Sequence, residues 1–259
     1  MSLAAGSPTT TTTGGLARVP PVLFFDVDNT LVDHSGALRR GLELVCERWP
    51  RLLREHRFDE AHEAFERINE ALWKIYATGA ITSADIRRRR FEQWFEHLGV
   101  DTEVDDVPQI AEASSSYMDG YERSTRAYPG VITMLERLAP DHVIGIITNG
   151  FVSAQSRKLG FSGLADLIRY RIYSEEVGVQ KPHPAIFTAA LEAAGVEPVD
   201  ALYVGDNFAN DIAGAALAGI ATVWFNPQDD EHPQDRPDIR PQAIAHSIDE
   251  LAALLGAGT

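Results

Sequence analysis

Two carboxylates stand two residues apart where an apolar run near the start of the chain ends. The segment PVLFFDVDNT places Asp26 directly after a short apolar stretch and Asp28 just beyond it. Such a stretch, bounded by prolines, predicts a buried strand over residues 21–26. Carboxylates held at the end of a strand are candidates for binding a hard cation or for covalent catalysis.

Chemically capable side chains also follow the other predicted strands. In open parallel sheets, ligands bind outside the carboxyl ends of the strands, so these side chains are expected to collect at one edge. They comprise a hydroxyl, two amides, a lysine and two carboxylates: Thr148, Asn149, Lys181, Asp206, Asn210 and Asp211.

This set of groups predicts a metal and a phosphate. Carboxylates packed together raise each other's pKa values unless a cation lies among them. Mg²⁺ prefers one or two carboxylates together with water and substrate phosphate. Lys181, Thr148 and nearby backbone amides are donors that a phosphoryl group would satisfy, and an aspartate that attacks phosphorus is an established form of covalent catalysis.

Each signal alone also has an ordinary structural explanation. Asp28-Asn29-Thr30 is compatible with a plain turn, and Asp211 with a residue attracted to the start of a helix. Lys181, which precedes a proline, is compatible with a solvated loop. The combination is the stronger evidence, because each group follows an apolar strand in the same chain.

Composition limits the possible partners. A formal net charge of −15 makes this 259-residue chain a poor partner for nucleic acid polymers, because it offers few counter-charges for phosphate. No run approaches the roughly 18 apolar residues of a membrane span, and the first residues lack a secretory pattern. The single cysteine, Cys46, precludes an intramolecular disulfide and is predicted to be an inert packing thiol. We therefore expect a cytoplasmic protein; the pattern specifies no oligomeric state.

The predicted elements form an α/β core with a helical insertion. Residues 37–125 have helical periodicity without strands, whereas strands and helices alternate after residue 126. The sequence thus predicts a Rossmann-like, doubly wound, mainly parallel sheet over residues 21–36 and 126–259. The Thr- and Gly-rich residues 1–20 are predicted to form a disordered tail.

The later elements are predicted as alternating helices and strands. The predicted helices are 131–138, 153–159, 184–194, 210–218 and 249–255, and the predicted strands are 142–148, 168–173, 201–206 and 221–225.

Four segments in order, DVDNT, TNG, KP and GDNFAND, resemble the motifs of the haloacid dehalogenase-like hydrolase superfamily. The insertion is similar to that superfamily's four-helix cap. The segments SEEVGVQKPHPAIF and INEALWKIYATGAITSADIRRRRF are similar to the branch that holds pyrimidine 5′-nucleotidases, and the opening motif also resembles that of N-acylneuraminate-9-phosphatases.

The resemblance implies a role for each motif residue. Asp26 would be the nucleophile and a Mg²⁺ ligand, and Asp28 the acid and base, with its carbonyl on the metal. Asp206 would complete the metal site. Thr148, Asn149 and Lys181 would bind the phosphoryl group, while Asn210 and Asp211 would support the metal and Lys181 from behind.

The resemblance and the chemistry together predict a Mg²⁺-dependent phosphatase acting on a small phosphorylated metabolite. A nucleoside 5′-monophosphate is the first expected substrate and a sugar phosphate the next. An alcohol leaving group needs a proton, whereas a halide leaves without one. The presence of Asp28 therefore favours a phosphatase over a dehalogenase. A phosphomutase of the same superfamily and a non-catalytic binding or regulatory homologue remain alternatives.

Residues of the helical insertion are expected to contact the substrate. The candidates are Asn69, Trp73, Tyr76 and the arginines at 87–90. Among these arginines, Arg90 is the one expected to contact the substrate. Trp73 and Tyr76 also fit core positions at helical spacing. Four consecutive arginines point in several directions, so only one or two can face the site.

Overall fold

The computed structural model describes Leu16, residues 18–103 and residues 106–258. Of the predicted tail over residues 1–20, residues 1–15 and 17 lie outside the described part of the chain. Leu16 and Val19 pack against the core of the sheet.

Within the described residues, six parallel strands form one sheet; the sequence predicts the parallel sheet and five of these strands. They are β1 (Val22–Phe25), β2 (Val143–Thr148), β3 (Tyr170–Tyr173), β4 (Ala201–Gly205), β5 (Ala221–Phe225) and β6 (Ala243–Ala245). Their order across the sheet is β3-β2-β1-β4-β5-β6, and every neighbouring pair is parallel. The first strand therefore lies in the middle, between β2 and β4.

Helices cover both faces of the sheet. Successive residues of a strand point to opposite sides, so β1 contributes apolar side chains to both faces. Leu23 and Phe25 of β1 join the apolar cluster under α5 (Val131–Leu138) and α10 (Ile248–Leu254). Phe24 joins the cluster on the other face, under α8 (Pro184–Ala194). A buried central strand thus holds the residues that follow it in a fixed position.

Four helices between β1 and α5 form the helical insert: α1 (His34–Arg48), α2 (Phe58–Ala77), α3 (Ser83–Leu98) and α4 (Ile110–Ser124). They share an aromatic core that includes Phe65, Phe91, Trp94 and Tyr117. The side chain of Thr82 caps α3, and Gly99 ends that helix in the left-handed conformation with φ 65°. The predicted all-helical insertion is confirmed.

Several predicted boundaries match the structure, and others shift. The predicted helices at 131–138 and 184–194 and the strand at 221–225 have the observed bounds. The strand predicted over 168–173 begins at Tyr170, and α6 spans Val152–Phe161 rather than 153–159. The strand predicted over 142–148 begins one residue later, at Val143, and the strand predicted over 201–206 ends one residue earlier, at Gly205.

Three elements differ from the prediction. The edge strand β6 has only three residues, too few for a recognisable alternation, and α7 (Ser174–Val177) is a single helical turn. The helix predicted over 210–218 is a π-helix over Phe208–Ala213 followed by α9 (Gly214–Leu217). Within the described residues, no helix is long and apolar enough to cross a membrane.

Candidate active site

Three carboxylates meet at the carboxyl end of the sheet. Asp26 follows β1, Asp206 follows the neighbouring β4, and Asp211 lies in the π-helix beyond it. One oxygen from each carboxylate lies within 4.8 Å of the other two. The parallel arrangement of β1 and β4 therefore brings together residues that are 180 positions apart in the sequence.

Lys181 bridges two of these carboxylates. Its Nζ donates to Asp26 Oδ1 at 2.5 Å, to Asp211 Oδ1 at 2.7 Å and to the Tyr203 hydroxyl at 2.9 Å. Tyr203 in turn donates to Asp211 Oδ1 at 3.0 Å. Asp26 is only 6% exposed, and its backbone amide donates to Val204 at 2.8 Å. The buried lysine is thus held by two acids and a tyrosine.

The electrostatics of this cluster favour an additional cation. Burial, reinforced by Asp211 and Asp28, raises the pKa of Asp26 to about 7 even though Lys181 opposes the shift. Burial together with Asp26 and Asp211 raises the pKa of Asp206 to about 8. Burial alone would lower the pKa of Lys181, but the two carboxylates outweigh it and raise that pKa. One lysine leaves the three acids undercompensated, so the donor set fits a divalent ion.

The side chain of Asn149 fixes the backbone of Lys181. Its Nδ2 donates to the Lys181 carbonyl at 3.0 Å, and its Oδ1 accepts from the Lys181 amide at 2.7 Å. Thr148 Oγ1 accepts from the Gly150 amide at 3.1 Å and from Gln155 Nε2 at 3.0 Å. The loop after β2 and the loop that carries Lys181 are therefore tied together.

Asp28 lies in a separate polar cluster beside the three carboxylates. Lys158 Nζ donates to its Oδ1, Gln155 Nε2 donates to its Oδ2 at 2.7 Å, and His34 Nδ1 lies 3.4 Å from Oδ1. Burial alone would raise the pKa of Asp28, but His34 and Lys158 outweigh it and lower that pKa. Burial lowers the pKa of His34 to about 4, because it disfavours the charged imidazolium.

The DVDNT turn uses the conformational preferences of its residues. Asn29 has φ 61°, a left-handed conformation that asparagine tolerates, and its Oδ1 accepts from the Ser35 amide at 2.9 Å. Thr30 Oγ1 donates to Asp206 Oδ1 at 3.3 Å. The turn therefore links the end of β1 to the carboxylate that follows β4.

The π-helix directs Asp211 back into the site. Asp211 Oδ2 accepts from the Asn207 amide at 3.0 Å, and the Asn210 amide donates to Asn207 Oδ1 at 2.9 Å. A Cβ added to Gly205 would lie 2.5 Å from the Asp211 carboxylate, so only glycine leaves room for it. Such irregular turns occur frequently at functional sites.

A cavity of about 320 Å³ connects these residues to the helical insert. Eleven of the residues predicted from the sequence as site residues line it: Asp26, Asp28, Asn69, Trp73, Arg90, Thr148, Asn149, Lys181, Asp206, Asn210 and Asp211. Its size is within the range of small-molecule sites.

The helical insert and the sheet contribute different walls of this cavity. Trp73 stacks on Phe151 with ring centroids 5.1 Å apart and an interplanar angle of 23°. Tyr76 packs edge-on against both rings and does not line the cavity. Of the four consecutive arginines, Arg87 and Arg90 line it, whereas Arg88 and Arg89 pair with Asp85.

Sequence reasoning missed five polar residues that contact the core of the site: His34, Thr30, Gln155, Lys158 and Tyr203. The available signal was that Lys158 is one of only three lysines and lies one turn beyond Gln155 on the helix after TNG.

Known proteins are similar to this chain in sequence and in fold. A family model for haloacid dehalogenase-like hydrolases matches residues 20–219. This chain belongs to that family. It is a haloacid dehalogenase-like hydrolase with an all-helical insert, and the resemblance seen in its motifs is confirmed.

The relatives of this haloacid dehalogenase-like hydrolase include phosphatases. Pyrimidine 5′-nucleotidase YjjG of Escherichia coli is 33% identical over 90% of the chain and 96% of its own length. Phosphoserine phosphatase of Thermus thermophilus is 32% identical over 85% of the chain and 94% of its own length.

A solved structure of a second family member resembles the whole fold. The HAD-hydrolase YfnB of Bacillus subtilis, in a magnesium-bound crystal form described as revealing interdomain movement, has a TM-score of 0.74 and 25% identity. The match covers 92% of the chain and 99% of YfnB.

Proposed function

We propose that the chain is a Mg²⁺-dependent phosphatase that hydrolyses a small phosphomonoester through an aspartyl-phosphate intermediate. The observation that carries this proposal is the position of Asp26, buried between Lys181 and two further carboxylates at the floor of the cavity. Its phosphatase relatives support the same reaction class.

The proposed reaction has two steps. An oxygen of Asp26 attacks phosphorus, the bond from phosphorus to the leaving oxygen breaks, and that oxygen takes a proton from Asp28. His34 and Lys158 lower the pKa of Asp28 in the free protein, and the negative charge of the bound phosphate would raise it again and keep the proton on Asp28. Water then attacks the phosphorus of the aspartyl phosphate and gives a proton to Asp28, which releases inorganic phosphate and restores Asp26. The two-residue spacing allows one carboxylate to attack while the other transfers the proton.

The neighbouring residues would position and neutralise the phosphoryl group. Lys181 offsets negative charge on Asp26 and on the phosphoryl oxygens. Thr148 and the backbone amides around Asn149 would bind those oxygens, since the Asn149 side chain is already bonded to Lys181. In-line phosphoryl transfer needs little beyond such positioning and charge compensation.

The groups that would hold Mg²⁺ are the carboxylates of Asp26 and Asp206 and the backbone carbonyl of Asp28. Asn210 and Asp211 would support these ligands without binding the ion directly. The raised pKa values of Asp26 and Asp206 fit this role, because an ion among the carboxylates removes their mutual repulsion. A bound Mg²⁺ supplies charge stabilisation to the transferring phosphoryl group.

Residues 37–125 would act as a cap that closes over the substrate and excludes water. Asn69, Trp73 and Arg90 line the cavity from this side. The aromatic rings of Trp73 and Phe151, which line the cavity, support a nucleoside 5′-monophosphate as the first substrate, with a sugar phosphate next. The single cysteine supports a cytoplasmic location.

The test is phosphate release from a panel of phosphomonoesters, with Mg²⁺ or with EDTA. The native protein is compared with Asp26→Asn and with Asp119→Asn, which changes an exposed carboxylate that pairs with Arg123. The proposal predicts Mg²⁺-dependent release that Asp26→Asn abolishes and Asp119→Asn retains. A fully active Asp26→Asn variant would refute the nucleophile. Phosphate moved within the substrate without release would identify a mutase instead.

A further inference from the structure

Arg90 is a buried cation without an acidic partner. Its side chain is 6% exposed, and no carboxylate in the described part of the chain lies within ion-pair distance of it. Arg88, two residues earlier, bonds to Glu92 and Asp85 on the surface of the same helix. Of the two arginines that line the cavity, Arg87 is exposed, whereas Arg90 is buried and has no compensating carboxylate among the described residues.

The contacts of Arg90 leave part of its donor capacity unused. Its Nη1 donates to Asn69 Oδ1 at 3.1 Å, and its Nη2 lies 3.9 Å from Met118 Sδ, a weak acceptor. The ring of Tyr117 lies 4.6 Å from the guanidinium carbon, with Phe65 at 5.3 Å. A guanidinium has five N–H donors, so one good hydrogen bond and stacked rings do not satisfy it.

Two buried polar atoms in this wall have no partner. They are Arg90 Nε and the hydroxyl of Tyr117, and both residues line the cavity. Burying a charged group without full compensation is costly, and burial correspondingly lowers the pKa of Arg90. A ligand that brings an acceptor oxygen to this wall would remove much of that cost.

Three carboxylates of the catalytic end have other cationic partners. Asp26 and Asp211 pair with Lys181, and Asp28 pairs with Lys158. Arg90 instead contacts residues of α2 and α4, in the wall that the helical insert contributes. An oxygen bound there would belong to the leaving group rather than to the phosphate.

We propose that Arg90 determines specificity by donating hydrogen bonds to an acceptor oxygen on the leaving group, a carbonyl oxygen of a planar ring or a carboxylate oxygen. The inference rests on the proposed phosphatase function. The stacked rings of Trp73 and Phe151 in the same cavity favour the carbonyl of a planar ring. Asn69 holds the guanidinium in position through its Oδ1.

The experiment compares Arg90→Met, Arg90→Lys and the surface control Arg88→Met on four substrates. Uridine 5′-monophosphate carries ring carbonyls and O-phosphoserine a carboxylate, whereas phenyl phosphate and glycerol 3-phosphate carry neither. We expect Arg90→Met to lower kcat/KM for an acceptor-bearing substrate by about 10- to 100-fold, as for loss of a charge-assisted hydrogen bond, mainly through KM. The two substrates without a ring carbonyl or a carboxylate should change by less than about threefold.

The conservative variant provides a second readout. Arg90→Lys keeps the charge but not the fork of donors, so it should recover part of the lost kcat/KM. It also replaces Arg90→Met if thermal unfolding shows that the methionine variant does not fold. A loss confined to phosphoserine identifies a carboxylate as the acceptor, and a loss confined to uridine monophosphate identifies a carbonyl.

Equal losses on all four substrates would overturn the inference, because Arg90 would then have a structural role. No loss on any substrate would also overturn it, because Arg90 would then not contribute to recognition of the leaving group. Equilibrium binding separates this outcome from failure of the proposed function. Uridine monophosphate and phosphoserine are titrated into Asp26→Asn with and without Arg90→Met. Weaker binding by the double variant than by Asp26→Asn alone supports the role of Arg90 even if no substrate is hydrolysed. Equal binding by the two variants contradicts that role.

Discussion

Lys158 donates a hydrogen bond to the carboxylate of Asp28 from the helix that follows β2. Gln155, one turn earlier on that helix, donates to the other oxygen of the same carboxylate. Both side chains are buried, so Asp28 is oriented from two directions before any substrate binds. The residue proposed to transfer protons is therefore positioned by a helix, in addition to its own turn.

Replacing Lys158 with methionine should lower kcat for a phosphomonoester by about 10- to 100-fold, because Asp28 loses its buried partner and its orientation. Steady-state kinetics measures the effect. Lys74→Met is the matched control, since Lys74 is exposed and pairs with Glu70 on the surface of the helical insert. An unchanged kcat in Lys158→Met would show that the ion pair does not contribute to the reaction.

Asp28→Asn should slow phosphate release from alkyl esters by about 100- to 10,000-fold, the usual range for loss of an acid–base group. The effect on the first step should be much smaller for p-nitrophenyl phosphate, because nitrophenolate leaves without a proton. Rapid-quench measurement of nitrophenol release isolates that step. Equal slowing of both leaving groups would argue against proton donation by Asp28.

Removing one of the three clustered carboxylates should stabilise the metal-free protein. Asp206→Asn eliminates repulsion with Asp26 and Asp211, so we expect its Tm in EDTA to rise by about 2–4 °C, equivalent to about 1 kcal/mol. Addition of Mg²⁺ should raise the Tm of the native protein but not that of the variant. A lower Tm for the variant in EDTA would contradict the repulsion argument.

Cys46 should resist thiol reagents while the protein is folded. It is buried in the core of the helical insert, and burial, with Glu43 and Glu47, raises its pKa to about 12. Only the thiolate reacts readily, so labelling near neutral pH should follow unfolding. Reaction with a chromogenic disulfide, with and without guanidinium, measures this; rapid labelling of the native protein would contradict the prediction.

The sequence was sufficient for the architecture because burial and periodicity repeat over many residues. The strand 221–225 and the helix 184–194, with its initial proline and final glycine, were predicted with their observed bounds. The three-residue β6 and the π-helix over Phe208–Ala213 were not, since neither has a distinct period.

The site was only partly predictable, for a related reason. Residues at strand ends share an edge once the sheet is assumed parallel, and this brought Asp26 and Asp206 together. Lys158 and His34 reach Asp28 through helix orientation, which strand ends do not reveal. Among four arginines, only the packing of α3 against its neighbours showed that Arg90 is directed inward.

The contact between Trp73 and Phe151 joins two parts of the protein that are separate in the chain. Trp73 belongs to the helical insert, whereas Phe151 directly follows the TNG segment of the sheet. Any separation of the insert from the sheet divides this aromatic pair. If the proposed function holds, the aromatic pair is therefore complete only while the two parts are together, so recognition of the leaving group and enclosure of the reaction would be a single event.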